Sequence, residues 1–447
     1  MQYIKILTFL FTSLLFSQLA KAQKQDFLQL GDSALSMENY AEAISFYDKD
    51  LEMNGGKDST YFLRGFAKAR LKLYSAALLD YNEALRLSPQ FDMVYYNRAF
   101  VKIQIKQYID AIVDCDNAIR INNHDQYAYN NRGSARKSLH MDKAALLDFD
   151  TAVSISPTFE KAYLNRADAE YNLKEYSNVI EDCNKAMKLD PENSEAFVYR
   201  GLAEVGFKRY EDAMRDYNTA IKLNPSDAEA YNCRAMEEDI LGLHEDAILD
   251  YNETILIEPE LASAYYNRGI SRMALKKYEE AFEDFNKAIA IDPQNATAFF
   301  NRGTENMNLK KYKESILDYN EAIRLDPAMS QAYNNRGFSE LNLGFFKATI
   351  ADEDIALKLD SAIAYAYNNR GGAEMNLKQY KKALTDINKS LQLDGNNPYA
   401  YNNRGYVYYQ LGKYELAIAD YDKALELGGV DYIPDHDYRA EAAKRIE

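Results

Sequence analysis

From Gly31 to Gly405 the same residue pattern returns every 34 positions, with no insertion or deletion in between. A unit of that length is a helix–turn–helix pair that cannot bury its own apolar face. Consecutive units must therefore stack into one extended core. An array of this kind presents surface. It points to a chain that binds rather than one that catalyses.

With Gly31 in slot 8 of a 34-slot frame, slot 8 holds only Gly or Ala: Gly65, Ala99, Gly133 and so on to Gly405. Slot 4 is aromatic throughout, from Phe27 through Tyr61 to Tyr401, and slots 20 and 27 are mostly Ala. Apolar and small residues at slots 4, 8 and 11, and again at 17, 20, 24 and 27, have the three-and-four spacing of amphipathic helices. The spacing predicts helix A over slots 1–14 and helix B over slots 17–30. Seven prolines, among them Pro89, Pro191 and Pro293, fall in slot 32 and mark the turn after helix B. The fold class expected is all-α, an α-α superhelix of about twelve helix pairs.

The run Ala264-Tyr-Tyr-Asn-Arg-Gly269, followed by Tyr278, Ala281, Phe285, Ala288 and Pro293, resembles the tetratricopeptide repeat (TPR). The resemblance covers residues 24–431, and the Asn-Arg-Gly triplet is similar to that of a bacterial variant of the family. It implies a solenoid whose A helices line a concave groove that binds proteins or peptides. The TPR clamp for C-terminal carboxylates uses Lys in slots 2 and 5 and Arg in slot 6. Here slot 5 is never Lys, slot 6 is never Arg, and slot 2 has only Lys161, so that specialisation is not expected.

Lys5, an apolar run from Ile6 to about Phe16, and Ala20-Lys-Ala22 read as a secretory signal over residues 1–22. The apolar run is too short to span a bilayer, which needs about 20 residues. Residues 23–431 then form the array and 432–447 a charged capping helix. The expected location is exported, periplasmic or cell-envelope associated, with no membrane insertion after cleavage. A net charge of −16 argues against nucleic acid as partner. Cys115 and Cys183 share slot 24 two units apart, too distant to pair.

Slot 7 is Arg in eleven units and slot 23 is Asp in the same eleven; in the remaining unit Leu30 and Phe46 replace both. The covariation predicts structural ion pairs within each unit, such as Arg268 with Asp284, Arg302 with Asp318, and Arg336 with Asp352. The other use of such a ladder is to bind an anionic ligand, but an arginine matched by an aspartate has little charge to spare.

Slots 4, 17 and 24 account for most of the 37 tyrosines. Others fall in slots 2, 5, 9 and 12, opposite the core face of helix A: Tyr96, Tyr127, Tyr171, Tyr266, Tyr365, Tyr399, Tyr406 and Tyr409, joined by Phe62, Phe66, Phe100, Phe300 and Phe338. Such a stripe suits a recognition surface, or packing between neighbouring A helices. Slot 6 is Asn at Asn97, Asn131, Asn165, Asn267, Asn301, Asn335, Asn369 and Asn403, and slot 5 is Asn at five positions. A side-chain amide can donate to and accept from a peptide group at once. The TPR resemblance implies an asparagine ladder for extended backbones, and hydrogen bonds between helices are the structural alternative.

The four histidines are scattered, Gly55-Gly-Lys-Asp-Ser59 is an incomplete phosphate loop, and the Asp-x-Asp pairs lie on helix B. No cofactor or metal is implied. The reading is a non-catalytic exported scaffold that holds a peptide or partner segment. A glycan-binding solenoid, with tyrosines stacking on sugar rings, is the second possibility.

Overall fold

A computed structural model describes residues 26–428 and 438–446; the signal segment at 1–22 lies outside them. Among the described residues there are twenty-five helices and no strands, so the chain is an all-α solenoid. None of these helices is long and apolar enough to cross a membrane. The second repeat is typical: helix A is Asp58–Arg70 and helix B Tyr74–Leu87, slots 1–13 and 17–30. Helix B stops one residue before slot 31, which is extended, for example at Asp190 and Asp326, where the next residue is proline. Several A helices start on an Asp or Asn in slot 34 (Asp125, Asn193, Asp227, Asn295, Asn397) whose side chain accepts a first-turn N–H.

Between the helices of each pair, slot 15 is left-handed. Lys72, Lys106, Lys276 and Lys310 have φ of 58–62°, and glycine supplies the same conformation at Gly242, Gly344 and Gly412. The sequence carried that signal in its three glycines.

Packing groups the chain into two compact units, up to Pro225 and from Ser226 onward. The boundary falls between the sixth and seventh repeats, and the repeat frame runs through it. Both units are built alike. The slot 24 side chain of helix B lies across slot 8 of helix A. A Cβ on Gly133 would stand 2.6 Å from the Phe149 ring, and one on Gly269 2.8 Å from Phe285. Where slot 8 is alanine at Ala99 and Ala167, slot 24 shrinks to Cys115 and Cys183, both buried, unpaired and packed in the same clusters as those alanines. In these two repeats the smaller slot 24 side chain offsets the added methyl in slot 8, whereas Ala235 packs against a full-sized Tyr251.

The arginines do more than form pairs within a repeat. Arg336 donates through Nε and Nη2 to Asp352 at 2.7 and 2.6 Å, and through Nη1 to Asn320 of the preceding repeat at 2.7 Å. Its guanidinium also sits 5.5 Å from the Tyr333 ring. Arg268 does the same with Asp284 and Asn252, and Arg302 with Asp318 and Asn286. In the first unit Arg98 bonds Asp114 and Asn82. Slot 25 is Asp or Asn in every repeat, and within each unit it ties one pair to the next. Periodicity places slot 25 on helix B without giving it a partner. These bonds make the ladder a link between successive repeats.

Asparagine-lined cavities on the A-helix face

Among the described residues, one cavity within each unit opens on the A-helix face. The cavity of the second unit is 380 Å³ and is lined by Met307, Asn334, Asn335, Phe338, Leu341, Tyr365, Asn368, Asn369, Tyr399 and Asn403. These residues occupy slots 2, 5, 6, 9 and 12 of the ninth to twelfth repeats, and none is charged. Tyr365 and Tyr399 are 52% and 44% exposed. The cavity of the first unit, 560 Å³, includes Phe66, Tyr96, Asn97, Phe100, Tyr127, Asn130, Asn131 and Asn165, with Arg70, Lys161 and Glu195 among its lining. There Tyr96 and Tyr127 stack with centroids 5.6 Å apart.

The slot 6 amides turn out to be committed to neighbouring helices. Nδ2 of Asn131 donates to the Tyr96 carbonyl at 3.0 Å, Asn165 to Asn130 at 2.8 Å, Asn369 to Asn334 at 3.2 Å and Asn403 to Asn368 at 3.0 Å. Each link runs from slot 6 to slot 5 of the preceding repeat. Asn97 instead bonds the Met93 carbonyl of its own helix, and Asn335 accepts from Asn334. The amides hold adjacent A helices together and leave their remaining valences to the cavity.

The expected stripe is brought together only in part. Asn335, Phe338, Tyr365, Asn369, Tyr399 and Asn403 meet in the second cavity, and Tyr96, Asn97, Asn131 and Asn165 in the first. Tyr266 and Phe300 in slot 5 lie against Phe285 and Tyr319 of their own repeats at 6.0 and 5.8 Å, and Asn301 bonds the Tyr266 hydroxyl. Phe62, expected to face away from the core, is only 8% exposed and packs on Tyr81 and Phe91. A large ring in slot 5 reaches over the edge of helix A onto slot 24, where apolar area is removed from water. Asn267 lines neither cavity. Tyr406 and Tyr409 are covered by Tyr438 of the helix Tyr438–Ile446, with centroids 5.0 and 5.2 Å away. The slot 5 asparagines Asn130, Asn334 and Asn368 line the cavities, whereas the slot 5 rings of Phe62, Tyr266 and Phe300 line neither. That contrast was present in the sequence at Asn130, Asn334 and Asn368.

Sequence reasoning also passed over a set of buried glutamates. In slot 11, Lys68, Lys102, Arg136 and Arg272 back up the slot 23 aspartates at 2.6–2.8 Å. In five other repeats slot 11 is glutamate: Glu170, Glu204, Glu238, Glu340 and Glu374. Burial, reinforced by the neighbouring aspartate, pushes Glu170 up to about 8, and Glu238, Glu340 and Glu374 up to about 7. One carboxylate oxygen of each has no hydrogen-bond partner.

Three family models match the chain: a tetratricopeptide repeat at residues 262–295 and 398–428, a TPR repeat at 208–236 and 371–412, and a second tetratricopeptide-repeat model at 160–193 and 296–329. No curated protein matches it. Among solved structures it is similar to a chain of the APC/C hetero-tetramer Cut9–Hcn1, at 17% identity over 95% of this chain and 96% of that one, with TM-score 0.42. It is also similar to a tetratricopeptide repeat protein from Parabacteroides merdae, at 20% identity over 53% and 93%, with TM-score 0.45. Yeast Tom70 shows 15% identity over 94% and 93%, with TM-score 0.35.

Proposed function

Because this chain is a tetratricopeptide-repeat protein, we propose that it is an exported, non-catalytic scaffold that takes an extended segment of a partner protein into its asparagine-lined cavities. The observation that carries the reading is the second cavity, where exposed Tyr365 and Tyr399 stand over Asn334, Asn335, Asn368, Asn369 and Asn403. Backbone groups of an extended chain meet the free amide valences, and its side chains meet the rings. Export rests on the apolar leader at residues 1–22.

The test uses the full chain, a phage-displayed library of random dodecapeptides, and fluorescence anisotropy on the selected peptides. Tyr365→Ala and Tyr399→Ala are the informative variants, since both rings are about half exposed, and a melting curve of each controls for folding. Each is expected to weaken binding about tenfold, the size of a modest hot spot. Unchanged affinity in both removes the cavity from consideration. Retention of purified cell-wall polysaccharide with no peptide selected moves the reading to a glycan.

A further inference from the structure

Slot 24 is Tyr, Phe, Cys or Ile in every repeat except the tenth, where it is Glu353. The side chain is as fully buried as Tyr319, its counterpart one repeat earlier, and it lies over Gly337, 2.6 Å from where a Cβ would stand. Nearby arginines are already engaged: Arg336 by Asp352 and Asn320, Arg370 by Asp386 and Asp354. Burial holds the carboxyl well above the usual carboxylate range. A carboxyl in a core slot is costly, and local rules are broken mainly where function demands it.

Its one hydrogen bond runs to the cavity. Oε1 accepts from Asn369 Nδ2 at 3.0 Å, while Oε2 has no partner. The same Nδ2 donates to Asn334 Oδ1 at 3.2 Å. A primary amide has two N–H groups, so both donors of Asn369 are consumed and only its Oδ1, an acceptor, is left over. Beside it, slot 9 is Gly372, where other repeats carry Phe66, Phe100, Phe338 or Tyr406. A Cβ there would touch Leu341 at 3.4 Å and Asn403 at 3.7 Å, so this position contributes no ring beside Asn369.

We propose that Glu353 is a specificity-determining positioning residue: by holding the Asn369 amide from below, it leaves Asn369 only its acceptor oxygen, so that this position in the cavity selects a hydrogen-bond donor. The donor is a backbone N–H, a primary amide, a hydroxyl or an ammonium group of the bound segment, and a carboxylate meets no donor at Asn369. This inference rests on the peptide-groove reading. The uncharged lining of the cavity agrees with it, since nothing there neutralises an anion.

The full chain and its Glu353→Gln, Glu353→Ile and Glu353→Tyr variants are panned against the same dodecapeptide library, and wild-type peptides are titrated on each by anisotropy alongside melting curves. Ile and Tyr are the residues that fill slot 24 at Ile387 and Tyr319, so two independent apolar replacements guard against one failing to fold. Glu353→Gln keeps an acceptor for Asn369 and is expected to retain both the donor-rich consensus and the wild-type Kd. Glu353→Ile and Glu353→Tyr are expected to melt higher yet bind the wild-type peptides about three- to tenfold more weakly, the loss of one oriented hydrogen bond. Unchanged Kd and unchanged consensus in both apolar variants overturn the role of Glu353 while leaving the groove standing. A wild-type chain that selects no peptide sinks the groove itself, and this inference with it.

Discussion

Arg336→Met tests whether the arginine ladder holds the repeats together, and the structure supplies its own control. Methionine keeps the aliphatic stem but removes both bonds to Asp352, which is 5% exposed. Among the described residues no second cation pairs with that aspartate: slot 11 of the repeat is Glu340, itself carrying an unpartnered carboxylate oxygen. Stranding a buried carboxylate costs about 3–5 kcal/mol. Arg268→Met is chemically the same substitution, but Asp284 keeps Arg272 Nη1 at 2.6 Å. The charge stays paired, and the loss falls to about 2 kcal/mol, that of charge-assisted hydrogen bonds. For a unit of this size each kcal/mol moves Tm by about 2–4 °C. Circular dichroism melts should therefore show Arg336→Met falling by about 10 °C, roughly twice the drop of Arg268→Met. Amide exchange should locate the weakening in the ninth and tenth repeats, because stability in such arrays is local. Equal drops in the two variants would refute the argument that a buried carboxylate needs its own cation here.

The remaining predictions concern pH and packing. Glu170, Glu238, Glu340 and Glu374 bind their protons more tightly folded, at about 7–8, than their ordinary 4.5. The stabilisation they give is complete below pH 4.5 and is lost as pH rises through 7–8, on the order of 1.4 kcal/mol per pH unit for each group. Tm should fall from pH 5 to 8.5, and Glu340→Gln with Glu374→Gln should flatten that slope; an unchanged slope would count against it. Two glycine substitutions should move stability in opposite directions in denaturant titrations. Gly133→Ala drives a Cβ to 2.6 Å from the Phe149 ring and should cost about 1–3 kcal/mol. Gly372→Ala meets nothing nearer than Leu341 Cδ2 at 3.4 Å, so relief of helical glycine should add about 0.5–1 kcal/mol. A shared sign for the two would show that the core is less tightly packed than these distances imply.

The 34-residue frame by itself determined the helices, their turns and the pairing of Arg336 with Asp352, because each depends on periodicity and on contacts inside one unit. The small cysteines at 115 and 183 go with Ala99 and Ala167 in slot 8, but Ala235 keeps Tyr251 in slot 24. Contacts between repeats were not. Asn320 reaching Arg336, Asn369 reaching Asn334, and Tyr438 covering Tyr406 and Tyr409 depend on how one helix pair is placed on the next. A helical wheel puts Tyr266, Phe300 and Asn334 on the same outward stripe. Only the packed structure shows that the two rings fold back onto slot 24 while the amide leaves a cavity open. A wheel gives direction from the axis, whereas burial depends on side-chain length and on what the adjacent helix provides.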